Sequence, residues 1–140
     1  MILALDVGSK RIGVAVSDPG GTFALPVTTI ERSNRRDDIA RIASLAQEYG
    51  ARDIVVGDPV TLGGERGIAS QQIDTFVEAL REVFEGTIHR VDERMTTAQA
   101  TKTLIAADVS RRRRRDVVDR MAAALILETF LARRKNADRL

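Results

Sequence analysis

Cysteine is absent from the 140 residues of this chain, and His89 is the only histidine. Disulfides, thiolate metal sites and cysteine nucleophiles are therefore excluded, as are zinc sites that take two or three histidines from one chain. The sequence has no apolar run of about 18 residues, so we expect no membrane-spanning helix and no membrane partner. No basic segment precedes the first carboxylate, Asp6, which is unlike a signal peptide. We therefore expect a cytoplasmic protein.

Aromatic residues are scarce as well, with four Phe, one Tyr and no Trp, which argues against a surface that stacks nucleic-acid bases. The length and the 44% hydrophobic content fit a single domain over residues 1–140. Net charge is only +2, but residues 109–140 carry ten Lys and Arg against four Asp and Glu. This asymmetry indicates a polyanionic partner near the C-terminal third of the chain.

Hydrophobic spacing predicts the element order β-β-β-α-β-α-β-α-α. The predicted strands cover residues 2–7, 12–17, 24–31, 53–57 and 87–91. The predicted helices run from a cap at Asp37 or Asp38 to about Tyr49, over about 69–84, from the capping box at Thr96 to about Ala107, and over about 116–134. Short connections predict antiparallel pairing of the first three strands, and the later helical crossovers predict a mixed sheet with helices on its faces.

Several carboxylates interrupt apolar segments, where a charge costs several kcal/mol unless it is paired or binds a metal. Asp6 lies inside the first strand, and Asp119 lies in the apolar last helix. Asp92 and Glu93 end the fifth strand; because neighbouring strand residues face opposite sides, we expect one of them at the site, with Glu93 preferred. The alternative in each case is an ion pair, such as Asp119 with an arginine on the sheet.

Two further acids are weaker candidates. Asp58 ends the fourth strand before a proline, and Asp116 precedes Asp119 by one helical turn. Either could ligate a metal, but Asp58 could equally be a loop acid. Asp116 could equally be an acid of the kind favoured in the first turn of a helix.

An oxygen-only cluster of three to five carboxylates suits hard cations such as Mg²⁺ or Mn²⁺. Two such ions can activate a water and stabilise a leaving oxygen, which matches phosphodiester hydrolysis. Basic residues would then hold the nucleic-acid backbone, although a solvated surface is an open alternative. The candidates for this role are Lys10, Arg11, Arg94, Arg111, Arg112, Arg113, Arg114 and Arg115.

Four segments together resemble the YqgF/RuvX family, relatives of the Holliday-junction resolvase RuvC. They are the segment from Ala4 to Asp18, Ile54-Val-Val-Gly-Asp-Pro59, Asp92-Glu-Arg-Met-Thr-Thr97 and Val118-Asp-Arg-Met-Ala-Ala123. The resemblance implies an α/β, ribonuclease H-like fold with a five-stranded mixed sheet in the order 3-2-1-4-5. It also implies a metal-dependent nuclease of pre-16S ribosomal RNA in which Asp6, Glu93 or Asp92, and Asp119 ligate the metals and act in catalysis.

The chain departs from this family at Asp58, where an apolar residue is usual, and at Asp116. RNA is the favoured substrate, and structured DNA is the alternative, as in a Holliday-junction endonuclease. Junction resolution would need a symmetric homodimer with two sites, which the sequence leaves open. A non-catalytic ribosome-assembly factor would also fit these residues, as would half of an actin-like ATPase site, although such an ATPase normally needs a much longer chain.

Overall fold

The computed structural model describes residues 1–59, 67–92 and 111–138, without the side chains of 111–117, 137 and 138. These residues form five strands and three helices. The strands are β1 (Ile2–Val7), β2 (Arg11–Ser17), β3 (Ala24–Glu31), β4 (Asp53–Asp58) and β5 (Thr87–Asp92). The helices are α1 (Arg35–Glu48), α2 (Ile68–Arg81) and α3 (Arg111–Asp138). The predicted helix from Thr96 to about Ala107 lies outside the described residues.

The strands form one mixed sheet in the order β3-β2-β1-β4-β5, which confirms the expected architecture. β2 pairs antiparallel with both β1 and β3, whereas β1 pairs parallel with β4, and β4 with β5. The carboxyl ends of β1, β4 and β5 therefore lie at one edge of the sheet. In open α/β sheets this is the edge where ligands bind.

The start of α1 differs from the prediction. The cap is Asn34, whose side chain accepts a hydrogen bond from the Asp37 backbone N–H at 2.9 Å, and neither Asp37 nor Asp38 has that role. Asn34 Nδ2 also donates to the Asp37 carboxylate at 2.8 Å. The helix gives way to Gly50, whose φ of +63° is a conformation that glycine adopts without strain.

The start of α3 also differs from the prediction. The helix already includes Arg111 where the described residues resume, so the run of five arginines belongs to the helix and is not a segment before it. Arginine is among the stronger helix formers, which explains why the run continues the helix. Among the described residues, no helix is both long enough and apolar enough to cross a bilayer.

The sheet separates two apolar layers. α1 and α2 cover one face with large side chains, among them Leu5, Ile12, Ile42 and Phe76. α3 covers the other face, where it packs mainly against β1, β2 and β3. Small residues are frequent in this second layer, including Ala4, Ala15 and Ala123.

Candidate active site

Asp6 is a buried carboxylate near the carboxyl end of β1, with only 5% of its surface exposed. Strand residues alternate between faces, and Ile2 and Ala4 belong to the layer under α3, so Asp6 lies on the α3 face. Its partner across the β1–β2 ladder is Gly13. The acid predicted from the sequence is thus a carboxylate that the fold encloses at the expected edge of the sheet.

Gly13 allows α3 to come close to the sheet. A Cβ atom built on Gly13 would collide with the backbone carbonyl of Asp119, so no other residue fits here without a shift of the helix. Ala122 and Ala123, in the turn after Asp119, are fully buried and also small. Asp6 and Asp119 are therefore both neighbours of Gly13, which brings together two acids that are far apart in the sequence.

Asp119 forms an ion pair with the first residue of β2. The Arg11 Nε donates to the Asp119 Oδ2 at 2.9 Å, and both side chains are largely buried, with 20% and 18% of their surfaces exposed. From the sequence, Arg11 is expected to bind phosphate, and an arginine partner for Asp119 is left open. The structure places the guanidinium on Asp119, so Arg11 orients this carboxylate.

Arg32 fixes the turn between β1 and β2. Its Nη1 donates to the Gly8 carbonyl at 2.8 Å, and its backbone N–H donates to the Lys10 carbonyl at 2.9 Å. Its Nε contacts the Asp38 Oδ2 at 3.4 Å, and the buried Asp38 carboxylate also accepts from the Ser33 N–H at 3.1 Å. Sequence reasoning missed this role of both residues. The signal in the sequence is Asp38, an acid directly before the apolar Ile39, and the same position also fits a helix cap.

A cavity of about 660 Å³ opens beside Asp6, at the carboxyl end of β1 and between the first turns of α1 and α2. Its lining includes Gly8, Ser9 and Asp38. Lys10, in the same turn, is exposed. The cavity therefore has room for a ligand next to Asp6, whereas Asp119 is not among its lining residues.

Asp58 and Asp92 lie on the opposite face from Asp6. The Ser70 hydroxyl of α2 donates to the Asp58 Oδ1 at 2.6 Å, and the Arg90 Nη2 lies 3.1 Å from the Asp58 Oδ2. Arg90 also pairs with Asp74 of α2. Asp92 is the register partner of Asp58, so the pleat assigns it to the same face. The structure does not bring these two acids to the Asp6–Asp119 side of the sheet.

Other predicted site residues lie outside the described part of the structure. Glu93 and Arg94 fall in the gap after β5, and the side chains of Asp116 and of Arg111 to Arg115 are not described. Within the described ranges, no cluster of three or more His, Asp or Glu side chains could hold a metal ion. Of the carboxylates predicted for the site, Asp6 and Asp119 are thus the two that the described part of the structure places on the α3 side of the sheet.

Comparison with solved structures identifies the fold class. Thermus thermophilus RuvC in complex with a Holliday junction substrate is similar with a TM-score of 0.55, at 12% identity over 94% of each chain. A second Thermus thermophilus RuvC structure gives a TM-score of 0.54, at 13% identity over 96% of each chain. The fold is therefore that of the RuvC-like, ribonuclease H-like proteins.

Sequence comparison identifies the family. The family model described as "RuvX: Holliday junction resolvase" matches residues 1–133, and the chain belongs to this family. A relative from Thermoanaerobacter pseudethanolicus is 46% identical over 96% of this chain and 98% of its own. Relatives from Desulforudis audaxviator and Moorella thermoacetica are 41% and 43% identical, over 96% and 94% of both chains. The names of all three describe a pre-16S rRNA nuclease.

Proposed function

We propose that this protein is a metal-dependent nuclease that hydrolyses phosphodiester bonds in the 5′-end processing of pre-16S ribosomal RNA. One observation carries the proposal: the buried Asp6 and the largely buried Asp119 are both neighbours of Gly13. The names of the relatives support pre-16S rRNA as the substrate. We further propose that residues 1–140 act as one domain.

The residues at this site suit a divalent cation. Asp6 offers carboxylate oxygens from a buried position near the carboxyl end of β1. Mg²⁺ is commonly held by one or two carboxylates together with substrate phosphates, so Asp6 and Asp119 are a sufficient protein contribution. The donor set fits Mg²⁺ or Mn²⁺, since it offers oxygen atoms alone.

Glu93 is the third carboxylate of the proposed set. Val91 belongs to the layer under α3, and Asp92 is in register with Asp58 on the other face. The alternation of strand residues assigns the next position in the sequence to the α3 side, which supports Glu93 over Asp92. Asp58 and Asp92 are left out of the set for the same reason, and Asp116 remains a prediction.

Each residue of the site has a distinct proposed role. Asp6, Asp119 and Glu93 would hold two divalent metal ions, which when bound would activate a water molecule and offset charge on the leaving oxygen. Arg11 holds the Asp119 carboxylate in one orientation through the 2.9 Å contact. Lys10 in the adjacent turn and the arginines in the first turns of α3 would contact substrate phosphates, and so would Arg94.

A cleavage assay tests this proposal. Purified protein is incubated with labelled structured RNA carrying the 5′ extension of a 16S precursor, with Mg²⁺ or Mn²⁺ in turn. The wild type should cut the RNA, and Asp6→Asn should cut it about a thousandfold more slowly. Glu48→Gln, which removes an exposed acid at the end of α1, is the matched control and should retain full activity.

Two outcomes would contradict the proposal. Equal cleavage by Asp6→Asn and the wild type would assign the activity to a contaminating nuclease. RNA binding by the wild type without cleavage under any metal condition would favour the non-catalytic assembly factor.

Holliday-junction cleavage is the second candidate function, because the family description names that activity and the fold resembles RuvC. Resolution of a four-way junction requires two active sites on a symmetric dimer. Paired, symmetric cuts in a labelled four-way DNA junction, together with a dimeric mass in solution, would favour this function over RNA processing.

A further inference from the structure

The end of the molecule opposite Asp6 has two adjoining cavities. The larger, about 690 Å³, lies between the amino ends of β1 and β4, the β2–β3 turn and the last turns of α3. The smaller, about 400 Å³, lies beside His89 of β5 and Phe130 of α3. Asp53 and Arg134 line both cavities, so the two form one continuous surface.

Positive charge dominates this surface. Arg52, Arg133, Arg134 and Lys135 line the cavities and are all exposed. The acids in the same linings are Asp53 and Glu128. We call the four exposed cations the basic surface.

The acids in the described lining leave three of the four cations without an ion pair. The Asp53 carboxylate lies 2.8 Å from the His89 Nε2, and the His89 ring packs on Phe130 at 4.8 Å. Among the described side chains, none forms an ion pair with Arg52, Arg134 or Lys135. These three exposed cations are therefore available to an anionic partner.

Three separate chain segments build the surface. Arg52 precedes β4, where its N–H donates to the Met1 carbonyl at 3.2 Å and its carbonyl accepts from the Thr87 N–H at 3.0 Å. The other three cations come from the end of α3. The facing wall is the β2–β3 turn, in which Asp18 accepts from the Thr22 and Phe23 N–H groups at 2.7 and 2.6 Å. Backbone contacts therefore fix Arg52 and the β2–β3 turn, and Phe130 and Leu131 pack the end of α3 against the sheet.

α3 links this surface to the proposed active site. Arg133 follows Asp119 by fourteen residues in one continuous helix, a rise of about 21 Å at 1.5 Å per residue. One strand of a DNA duplex advances about 3.4 Å per nucleotide, and a strand of an A-form RNA duplex advances less, so this distance corresponds to at least about six nucleotides. A substrate cut near Asp119 could reach the basic surface with phosphates at least about six positions away.

We propose that Arg52, Arg133, Arg134 and Lys135 form a second nucleic-acid contact surface, which binds backbone phosphates about 21 Å from the carboxylate end of α3. The proposal deepens the proposed function and rests on it for the substrate class. Contacts of this kind position the nucleic acid and read no sequence. They make affinity depend on duplex length, because a short duplex cannot reach both ends of α3.

Binding measurements in EDTA test the proposal, since they need neither metal nor cleavage. Fluorescence anisotropy measures Kd for labelled RNA duplexes of about twenty and about four base pairs, each closed by a short loop, over a range of KCl concentrations. The test variant combines Arg133→Gln, Arg134→Gln and Lys135→Gln. The control variant combines Arg36→Gln, Arg41→Gln and Arg81→Gln, which removes the same charge from exposed positions on α1 and α2. Circular dichroism confirms that both variants fold.

For the long duplex, the test variant should bind about tenfold more weakly at low salt, and its slope of log K against log salt should fall by about two to three. The control variant should change that slope by less than about one. For the short duplex, the wild type and the test variant should agree within about twofold.

Equal slope changes in the two variants would overturn the proposal, as would a wild type that does not bind RNA. Loss of binding to anionic phosphatidylserine vesicles in the test variant, with RNA binding unchanged, would assign the surface to lipid and also overturn it. If the wild type cleaves RNA but the salt slopes of the test and control variants do not differ, only the proposal of a second contact surface is wrong. If the slopes differ as expected and Asp6→Asn cleaves normally, only the proposed nuclease site fails.

Discussion

The two faces of the sheet are built from different residues. Under α1 and α2 the layer consists of large aliphatic and aromatic side chains, such as Leu5, Val14 and Phe76. Under α3 the layer contains Gly13 and several alanines, and Asp6 lies within it. Large side chains fill the first face and keep its helices at a distance, whereas small residues let the α3 backbone approach closely enough to place Asp119 beside β2.

Removing the Asp119 carboxylate should have the largest effect on the cleavage rate. It should also show whether the two faces of the sheet differ in function. Asp119→Asn should lower the cleavage rate about a thousandfold, because it removes a proposed metal ligand worth several kcal/mol in the transition state. Asp58→Asn is the matched change on the other face and should leave the rate within about twofold. Single-turnover cleavage of labelled RNA measures both, and comparable losses in the two variants would show that the faces are not distinct in function.

Gly13→Ala tests the close approach of α3 to the sheet, because the added methyl group would collide with the Asp119 carbonyl. We expect a loss of about 1–3 kcal/mol in the free energy of unfolding, from overpacking, and at least a tenfold loss of cleavage as α3 shifts. Val14→Ala is the neighbouring change on the large-residue face and should cost about 2 kcal/mol through lost burial. Urea unfolding should show similar losses of stability in the two variants. Cleavage assays should show a loss of activity in Gly13→Ala alone. Full activity in Gly13→Ala would refute the close approach of α3.

Arg11→Ala tests whether the guanidinium acts through Asp119. Loss of the 2.9 Å contact should lower the cleavage rate about ten- to a hundredfold, the range seen when a group that orients a metal ligand is removed. In an Asp119→Asn background the same change should have almost no further effect, since the two residues are coupled. Arg41→Ala, which removes an exposed arginine from α1, is the control and should retain full activity. Independent, multiplicative effects of Arg11→Ala and Asp119→Asn would assign Arg11 to direct phosphate contact instead.

Asp58→Asn should affect stability more than activity. The change weakens the pairing with Arg90, whose Nη2 lies 3.1 Å from the carboxylate, while an amide oxygen can still accept from Ser70. Since both partners are partly exposed, we expect a loss of only about 1 kcal/mol in the free energy of unfolding. Urea denaturation measures this loss, and an unchanged midpoint would show that the pair contributes nothing.

Asp18→Asn should have the smallest effect, confined to acidic pH. The Phe23 N–H donates to the Asp18 carboxylate and, with the Thr22 N–H, holds the pKa of Asp18 below its usual value of 3.8. A carboxyl group whose pKa is lower in the folded protein stabilises the fold above pH 3.8, and this contribution is lost as the pH falls towards the lower folded pKa. Stability measured across this window should therefore depend less on pH in Asp18→Asn than in the wild type, and identical pH profiles would contradict the assignment.

Strand positions could be predicted closely from local pattern. The predicted ranges 2–7 and 24–31 coincide with β1 and β3, and the prediction for β2 begins one residue late. Turn residues and apolar runs are local features of the sequence, so they predict the bounds of strands without knowledge of tertiary contacts. The strand order 3-2-1-4-5 follows from the family resemblance instead, because register between distant strands has no local signal.

Helix starts and side-chain partners were harder to predict. Asn34 caps α1 although Asp37 and Asp38 have equally suitable side chains, and only the backbone conformation distinguishes them. The Arg11–Asp119 pair joins residues 108 positions apart, which no spacing rule reaches. The register of β4 places Asp58 on the face opposite Asp6. The position of Asp58 before a proline in the sequence could not show whether it is a metal ligand or a loop acid.

The central claim is that α3 brings Asp119 to Asp6 so that the two carboxylates share one divalent cation. Isothermal titration of Mn²⁺ into the wild type, Asp6→Asn, Asp119→Asn and the double variant tests it without any substrate. We predict that each single variant binds Mn²⁺ at least about tenfold more weakly than the wild type, and that the double variant is no weaker than the weaker single one. Wild-type affinity in both single variants would contradict the claim.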